Sequence, residues 1–403
     1  MGKAIVFCAD GTWNGPQEQT GKTVIDGDDN AGELLGDSST NVLKLYANLA
    51  GRPIVETLAL HNEQEKRLVD AAGNTVQIAK YIHGVGDSRN PINKVLGGVF
   101  GMGVISRVVR GYTFISRHYR PGDAIYISGF SRGAYTARTL AGMIARVGLL
   151  NPQRYDVNDK EEAYRRGLAA WNRSKGITLN GKSEVVRLAN RFLDFIESFV
   201  SHATLSADDL VPDVPIQAVG VWDTVGSMGV PLYLKDKRYD VFRFTDTTLS
   251  DKVHFGFHAM AIDELRKDFP VTQWLPRAKG QVEQVWFVGA HADVGGGYAE
   301  RESRLSDVAL EWMMRKLQGT GMTLATPLSC VPDCACSLQQ PHKPWEKPPF
   351  NLLGKKAIST RSPTADNVFH ASVVERWKND THYRPKALSF VTADNIDALA
   401  TQP

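Results

Sequence analysis

The 403-residue chain lacks any long apolar run. The longest uncharged stretch in its glycine-rich part, Val95 to Ser106, falls well short of the roughly 20 residues that span a bilayer. The N-terminus, MGKAIVFCAD, has too short an apolar segment for a secretory leader, and Val6 stands where a myristoylation signal needs Ser or Thr. The chain is therefore expected to be cytoplasmic as synthesised, without a signal peptide or membrane span. An excess of one charge is also missing: 47 Lys+Arg against 44 Asp+Glu leave +3. That balance argues against a partner recognised through its phosphate backbone, so no nucleic acid is expected. No internal repeat is visible.

Cysteine is scarce. Cys8 lies in an apolar run and reads as a small buried side chain. Cys330, Cys334 and Cys336 form C-x3-C-x-C with His342 beyond them. This is not the paired CxxC spacing of a zinc site, so a disulfide or plain loop cysteines are favoured and no metal is expected. The run Gly295-Gly296-Gly297 has neither the Lys-Ser/Thr of a phosphate loop nor the spacing of a dinucleotide fingerprint. Asp10-Gly11-Thr12 lacks the carboxylate two residues earlier that an aspartyl phosphatase needs, because that residue is Cys8.

What is present is a series of short apolar strands, each ending in a turn. Lys3–Cys8 runs into Asp10-Gly11-Thr12, Val76–Ile82 into His83-Gly84, and Ala124–Ser128 into Gly129-Phe130-Ser131. Ile216–Trp222 runs into Asp223, and Val282–Ala290 into His291. Helical stretches separate them: a segment reaching about His118, Ser131–Val147, a charged stretch over 157–175, and Leu305–Leu317. Residues 15–45 and 325–366 read as loops. The pattern predicts an α/β protein with a mostly parallel central sheet and helices on both faces. One domain over 1–403 is expected, with a helical insert at 151–215 and a loop-rich extension at 321–385. Within the insert, Leu188, Phe192, Phe195, Ile196 and Phe199 form an apolar stripe that reads as core or as a lid over the cleft.

Chemistry gathers where parallel strands end. Gly129-Phe130-Ser131-Arg132-Gly133 matches G-x-S-x-G between a strand and a helix, the setting of a nucleophile elbow. A serine nucleophile needs a base and an acid to orient that base. Asp223 and His291 follow Ser131 in the order Ser, acid, His, each just past a strand. Asp213 precedes its strand, Asp293 lies too close to His291 in sequence, and His83, His254 and His258 break the order or the placement. His370 is the rival base. The N–H of Arg132 is the expected first oxyanion donor, and Gly11 or Thr12 the second. Asp10, Asp293 and His370 are candidates for substrate or supporting contacts.

The segments FCADGTWN, YIHGVG, GGVFGMG, RPGDAIYISGFSRGAYTAR, VGVWDTVGS and VGAHADVGGGY occur in that order. Together they resemble the domain-of-unknown-function 2235 family of α/β-hydrolases, whose members include type VI secretion phospholipase effectors. The resemblance spans about residues 3–320. It implies an α/β-hydrolase fold, Ser131 as nucleophile, Asp223 as acid, His291 as base, and no cofactor. It also implies a phospholipid or other acyl-ester substrate met at a membrane surface, a leaderless secretion route, and an immunity or secretion-apparatus protein as partner. Ala9 adds a residue before Asp10 relative to the usual family pattern, and the chain lacks the extra membrane-associating modules of the longer effectors. Other readings are an esterase acting on small molecules or carbohydrates, and a non-catalytic binding member.

Overall fold

Strand β1 (Ala4–Ala9, AIVFCA) is buried at every position. Successive side chains of a strand point to opposite faces. Ile5 and Phe7 accordingly enter one apolar cluster, and Val6 and Cys8 another. A strand apolar on both faces belongs in the middle of a covered sheet. The computed structural model places it there and describes residues 2–11, 38–58, 60, 63–84, 99–175, 205–225, 232–234, 237–239, 247–333, 339–347, 351 and 358–402.

The other strands of the main sheet are β2 (Arg52–Pro53), β3 (Glu63–Val69), β4 (Thr75–Ile82) and β5 (Ala124–Phe130). Two short pairs stand apart from it: β6 (Leu149–Leu150) with β7 (Leu210–Val211), and β9 (Leu232–Leu234) with β10 (Lys237–Tyr239). The sheet continues with β8 (Ile216–Trp222), β11 (Val253–Ala261), β12 (Gln281–Phe287), β13 (Val368–His370) and β14 (Thr401–Gln402). Its order is β14-β13-β12-β11-β8-β5-β1-β4-β3-β2. Every pairing from β14 to β4 is parallel, and only β4–β3 and β3–β2 are antiparallel. The α/β architecture with a mostly parallel sheet is thus as expected.

Eight helices are described: α1 (Asn41–Asn48), α2 (Val55–Leu58), α3 (Val99–His118), α4 (Arg132–Val147), α5 (Lys160–Lys175), α6 (His291–Gly295), α7 (Arg304–Gly319) and α8 (Ala371–Asn379). α3, α4 and α5 bury Val108, Leu140 and Trp171 against one face of the sheet, with Phe7 and Ile127. α1 and α7 bury Leu45, Trp312 and Leu317 against the other face, with Cys8 and Trp222. A third cluster joins α8 and the residues after it to the β12–β13 end through Trp286, Phe369, Val373 and Leu388.

Several elements depart from the sequence reading. Residues 15–45 were expected as a loop, but α1 begins at Asn41, where Thr40 caps it by accepting the Leu43 N–H at 3.2 Å. β11 was not anticipated; its sequence, VHFGFHAMA, carries two histidines, yet it is a central strand buried from Gly256 to Ala261. α8 and β13 give the 321–385 extension regular structure and extend the sheet. The stripe Leu188–Phe199 lies outside the described residues, as do Thr12, Cys334 and Cys336.

Candidate active site

β5 ends at Phe130 and α4 begins at Arg132, leaving Ser131 alone between them. Ser131 adopts φ 57 and ψ −120, a backbone conformation that side-chain-bearing residues avoid at a cost of about 1–3 kcal/mol. Its N–H donates to the Trp222 carbonyl at 3.1 Å and its carbonyl accepts the Tyr135 N–H at 3.2 Å. Both flanking glycines are required by space. A Cβ on Gly129 would lie 2.3 Å from the Gly133 carbonyl oxygen, and one on Gly133 would lie 2.0 Å from that of Ala9. The turn is therefore wedged between its own helix and the end of β1.

Register carries the neighbouring strand ends to the same edge. Phe130 pairs with Trp222, Trp222 with Ala259, and Ala261 with Phe287. Asp223 follows Trp222 directly, and His291 opens α6 just beyond β12. His291 Nδ1 lies 2.6 Å from Asp223 Oδ2. An ionised carboxylate only accepts, so Nδ1 carries the proton and Nε2 is left as the basic nitrogen. The ring sits between Phe130, at 4.5 Å between centroids, and Phe269, at 5.0 Å. Burial lowers the His291 pKa against the opposing pull of Asp223.

Asp223 is fully buried, and its two oxygens have four donors. Oδ1 accepts from the Ala261 N–H at 2.9 Å and from Arg361 Nη1 at 2.5 Å. Oδ2 accepts from His291 and from Arg361 Nη2 at 2.9 Å. Burial alone would raise its pKa; the Arg361 guanidinium and the His291 contact reverse this and hold it far below the usual carboxylate range. Beneath the acid, His258 accepts the Thr224 N–H at 3.1 Å, and burial pushes its pKa down to about 3, so it stays neutral. Glu264 accepts the His291 N–H at 3.2 Å and is itself forked by Arg266 at 2.9 and 2.8 Å.

The remaining candidates fall around this centre. Arg132 opens α4, so its backbone N–H belongs to the first helical turn and points to the sheet edge where that helix begins. Its guanidinium is brought down to about 9 by burial and by Arg107. The Gly11 N–H donates to Asp10 Oδ1 at 2.6 Å, so here it is engaged by its own neighbour rather than open to an oxyanion. Asp10 Oδ2 also accepts from Thr40 at 2.8 Å and from the Tyr81 hydroxyl. Asp293 caps α6 through the Ala290 N–H at 2.9 Å and meets His342 Nδ1 at 2.5 Å. His342, weighed with the cysteines as a metal ligand, is thus committed to Asp293 and stacked on Tyr298 at 3.7 Å. His370 caps α8 by accepting the Ser372 N–H and stacks on Phe287 at 4.8 Å, one strand beyond His291. Asp213 pairs with Lys252 at the surface.

Residues 3–316 match the model of the type VI secretion system phospholipase effector Tle1-like catalytic domain. The chain belongs to this family. Within the family's catalytic domain, then, lie Ser131, Asp223 and His291, whereas Arg361 lies beyond the matched segment. A curated relative is the uncharacterized Saccharomyces cerevisiae protein YEL023C, 28% identical over 235 residues, which are 55% of this chain and 30% of that one. Two solved structures share 17% identity with the chain. One is the Tle1 effector bound to the VgrG spike from the type 6 secretion system, with TM-score 0.35 over 76% of this chain and 53% of that one. The other is an uncharacterized protein from Pseudomonas aeruginosa, with TM-score 0.40 over 84% and 49%. The chain thus spans about a third of the curated relative and about half of each solved chain. Among the described residues, no helix is long and apolar enough to cross a membrane.

Sequence reasoning missed Arg361, Glu264 and His258. Arg361 sits in a loop-like stretch with no periodicity, and nothing in RSPT marks a buried arginine. His258 has no visible strand end in sequence, because the histidines of β11 interrupt its apolar run.

Proposed function

We propose that the chain is an α/β-hydrolase that cleaves carboxylic esters of phospholipids through Ser131, His291 and Asp223. The observation that supports this best is the convergence at one sheet edge. A serine on a strained strand-to-helix turn shares that edge with a buried histidine whose Nδ1 lies 2.6 Å from a buried aspartate. In this reading Ser131 Oγ attacks the ester carbonyl carbon while His291 Nε2 takes its proton. Asp223 holds the ring in that tautomer and stabilises the imidazolium. The tetrahedral oxyanion is met by the Arg132 N–H. Collapse expels the alcohol, which receives the proton from His291. Water activated by His291 then hydrolyses the acyl-enzyme. The family model supports the phospholipid, and delivery through a secretion apparatus is part of the same proposal.

The test pairs labelling with turnover. A fluorophosphonate probe should label the wild type and not Ser131→Ala, and the same variant should lose hydrolysis of both phosphatidylcholine vesicles and a short p-nitrophenyl ester. Labelling that persists at another serine would sink the nucleophile assignment. Turnover of the short ester with none of any phospholipid would move the substrate to small esters.

A further inference from the structure

Arg361 is buried, 7% exposed, and reaches the site from the segment that follows the family's catalytic domain. Each of its terminal nitrogens makes two contacts. Nη1 donates to Asp223 Oδ1 at 2.5 Å and to the Ala261 carbonyl at 2.7 Å. Nη2 donates to Asp223 Oδ2 at 2.9 Å and to the Phe269 carbonyl at 2.9 Å. Each arm of this fork is held by a backbone carbonyl while it grips one carboxylate oxygen. A carboxylate has about four lone-pair positions in its plane. On Asp223 they are filled by Ala261, His291 and the two arms of Arg361.

We propose that Arg361 is a positioning residue that acts through Asp223: its bidentate clamp fixes the carboxylate plane so that Oδ2 meets His291 Nδ1, and its charge offsets the aspartate's at the base. The inference rests on the Ser131–His291–Asp223 reading. A carboxylate held by only one backbone N–H and one histidine could rotate about its Cβ–Cγ bond, and each rotation would carry the imidazole with it. The clamp removes that freedom, and only a planar, two-pronged cation does so.

The charge has a separate consequence. The charged groups facing His291 are Asp223 with Arg361 on one side and Glu264 with Arg266 on the other, while His258 below Asp223 stays neutral near Arg138. Each negative group near the base therefore has its own cation. Removing Arg361 leaves Asp223 uncompensated, so the imidazolium is favoured. His291 must be neutral to accept a proton from Ser131. The acid limb of kcat/KM must then move to higher pH.

The experiment compares Arg361→Gln and Arg361→Lys with the wild type on a soluble short-chain ester, recording kcat, KM and the pH profile alongside thermal melting. Arg361→Gln should lose about 10²-fold in kcat at little change in KM, the scale of a misplaced catalytic group. Its acid limb should rise by about one pH unit, as expected for loss of a positive charge near the imidazolium. Arg361→Lys should return the limb toward the wild-type position while kcat stays at least tenfold down, because one ammonium cannot grip both oxygens. Millimolar guanidinium should restore part of the rate to Arg361→Ala. A folded Arg361→Gln enzyme with kcat within threefold of wild type and an unmoved limb overturns the proposal. If Arg361→Gln does not fold, Arg361→Lys decides, and wild-type kcat there overturns it equally. Turnover surviving in Ser131→Ala would instead show that the underlying hydrolase reading has failed.

Discussion

Two buried aspartates stand at the same edge of the sheet, each just past a strand, and their electrostatics are opposite. Asp223 follows β8 and is gripped by Arg361, which with His291 drives its carboxyl far down. Asp10 follows β1 and receives three neutral donors, from Gly11, Thr40 and Tyr81; burial outweighs them and its pKa rises from 3.8 to about 6. A cation is near Asp10 too, but Arg107 Nη2 donates to the backbone carbonyl of that residue, at 2.5 Å, and not to the carboxylate. Equal burial therefore gives unequal acids, and where the guanidinium points decides between them. A permanently charged acid suits the support of an imidazolium. A carboxyl that titrates near neutrality suits a neutral hydrogen-bonded corner that shapes the Gly11 turn.

The sharpest way to break this contrast is to neutralise each acid in turn. Asp223→Asn should cost about 10⁴-fold in kcat, since the amide presents the wrong partner to Nδ1. His291→Ala should be at least as severe and equal to Ser131→Ala, because members of such a unit do not contribute additively. Asp10→Asn should stay within tenfold of wild type. Ester turnover of the three variants checks this, and an Asp10→Asn enzyme as dead as Asp223→Asn would place Asp10 in the chemistry.

The next effect is on stability. A carboxyl raised in the folded state binds protons that the unfolded chain has already released, so its contribution is present below pH 3.8 and is lost as pH rises to about 6. That rise corresponds to about 3 kcal/mol. Melting temperatures of wild type and Asp10→Asn, compared from pH 4 to 7, should diverge in the variant's favour up to about pH 6 and then run parallel. A constant difference across that range would show that Asp10 does not ionise late.

A smaller effect is expected at Tyr81. Tyr81→Phe removes one donor from Asp10 and should destabilise by about 1–3 kcal/mol above pH 6, where the carboxylate is left short of a partner. Chemical denaturation at pH 5 and pH 7.5 reads the difference, and equal losses at both would separate the hydroxyl from the carboxylate. The smallest concerns His342, whose pKa is raised chiefly by its hydrogen bond to Asp293. Its stabilisation is complete below the ordinary histidine value and fades as pH rises through the raised one. His342→Gln should therefore melt lower than wild type at pH 6 and draw level by pH 9; a gap independent of pH would assign the loss to the stacking on Tyr298.

The strands ending at Ala9, Ile82, Phe130, Trp222 and Phe287 were visible in sequence because buried parallel strands are continuous apolar runs closed by glycine or aspartate. Ser131, Asp223 and His291 were visible because each stands just past such a run. β3 (EQEKRLV) was hidden by its charges, which suit the antiparallel edge of the sheet, and α1 by its place at the end of a polar stretch. Arg361 and Glu264 were hidden for a deeper reason. A buried ion pair is defined by its partner, and Arg361 stands 138 residues from Asp223 in chain order. The contact of Asp293 with His342 was likewise hidden, since His342 follows the cysteines in sequence and lies beside α6 in space.

The place of Arg361 in the chain also bears on timing. A polypeptide grows from its N-terminus, so Ser131, Asp223 and His291 are all made before the arginine that grips the acid. The parallel sheet around them can begin to pair while that arginine is still unmade. On the proposed reading, a growing chain would carry the whole reacting group and still lack the part that aligns it, so full turnover would await the arrival of a loop as well as formation of the sheet.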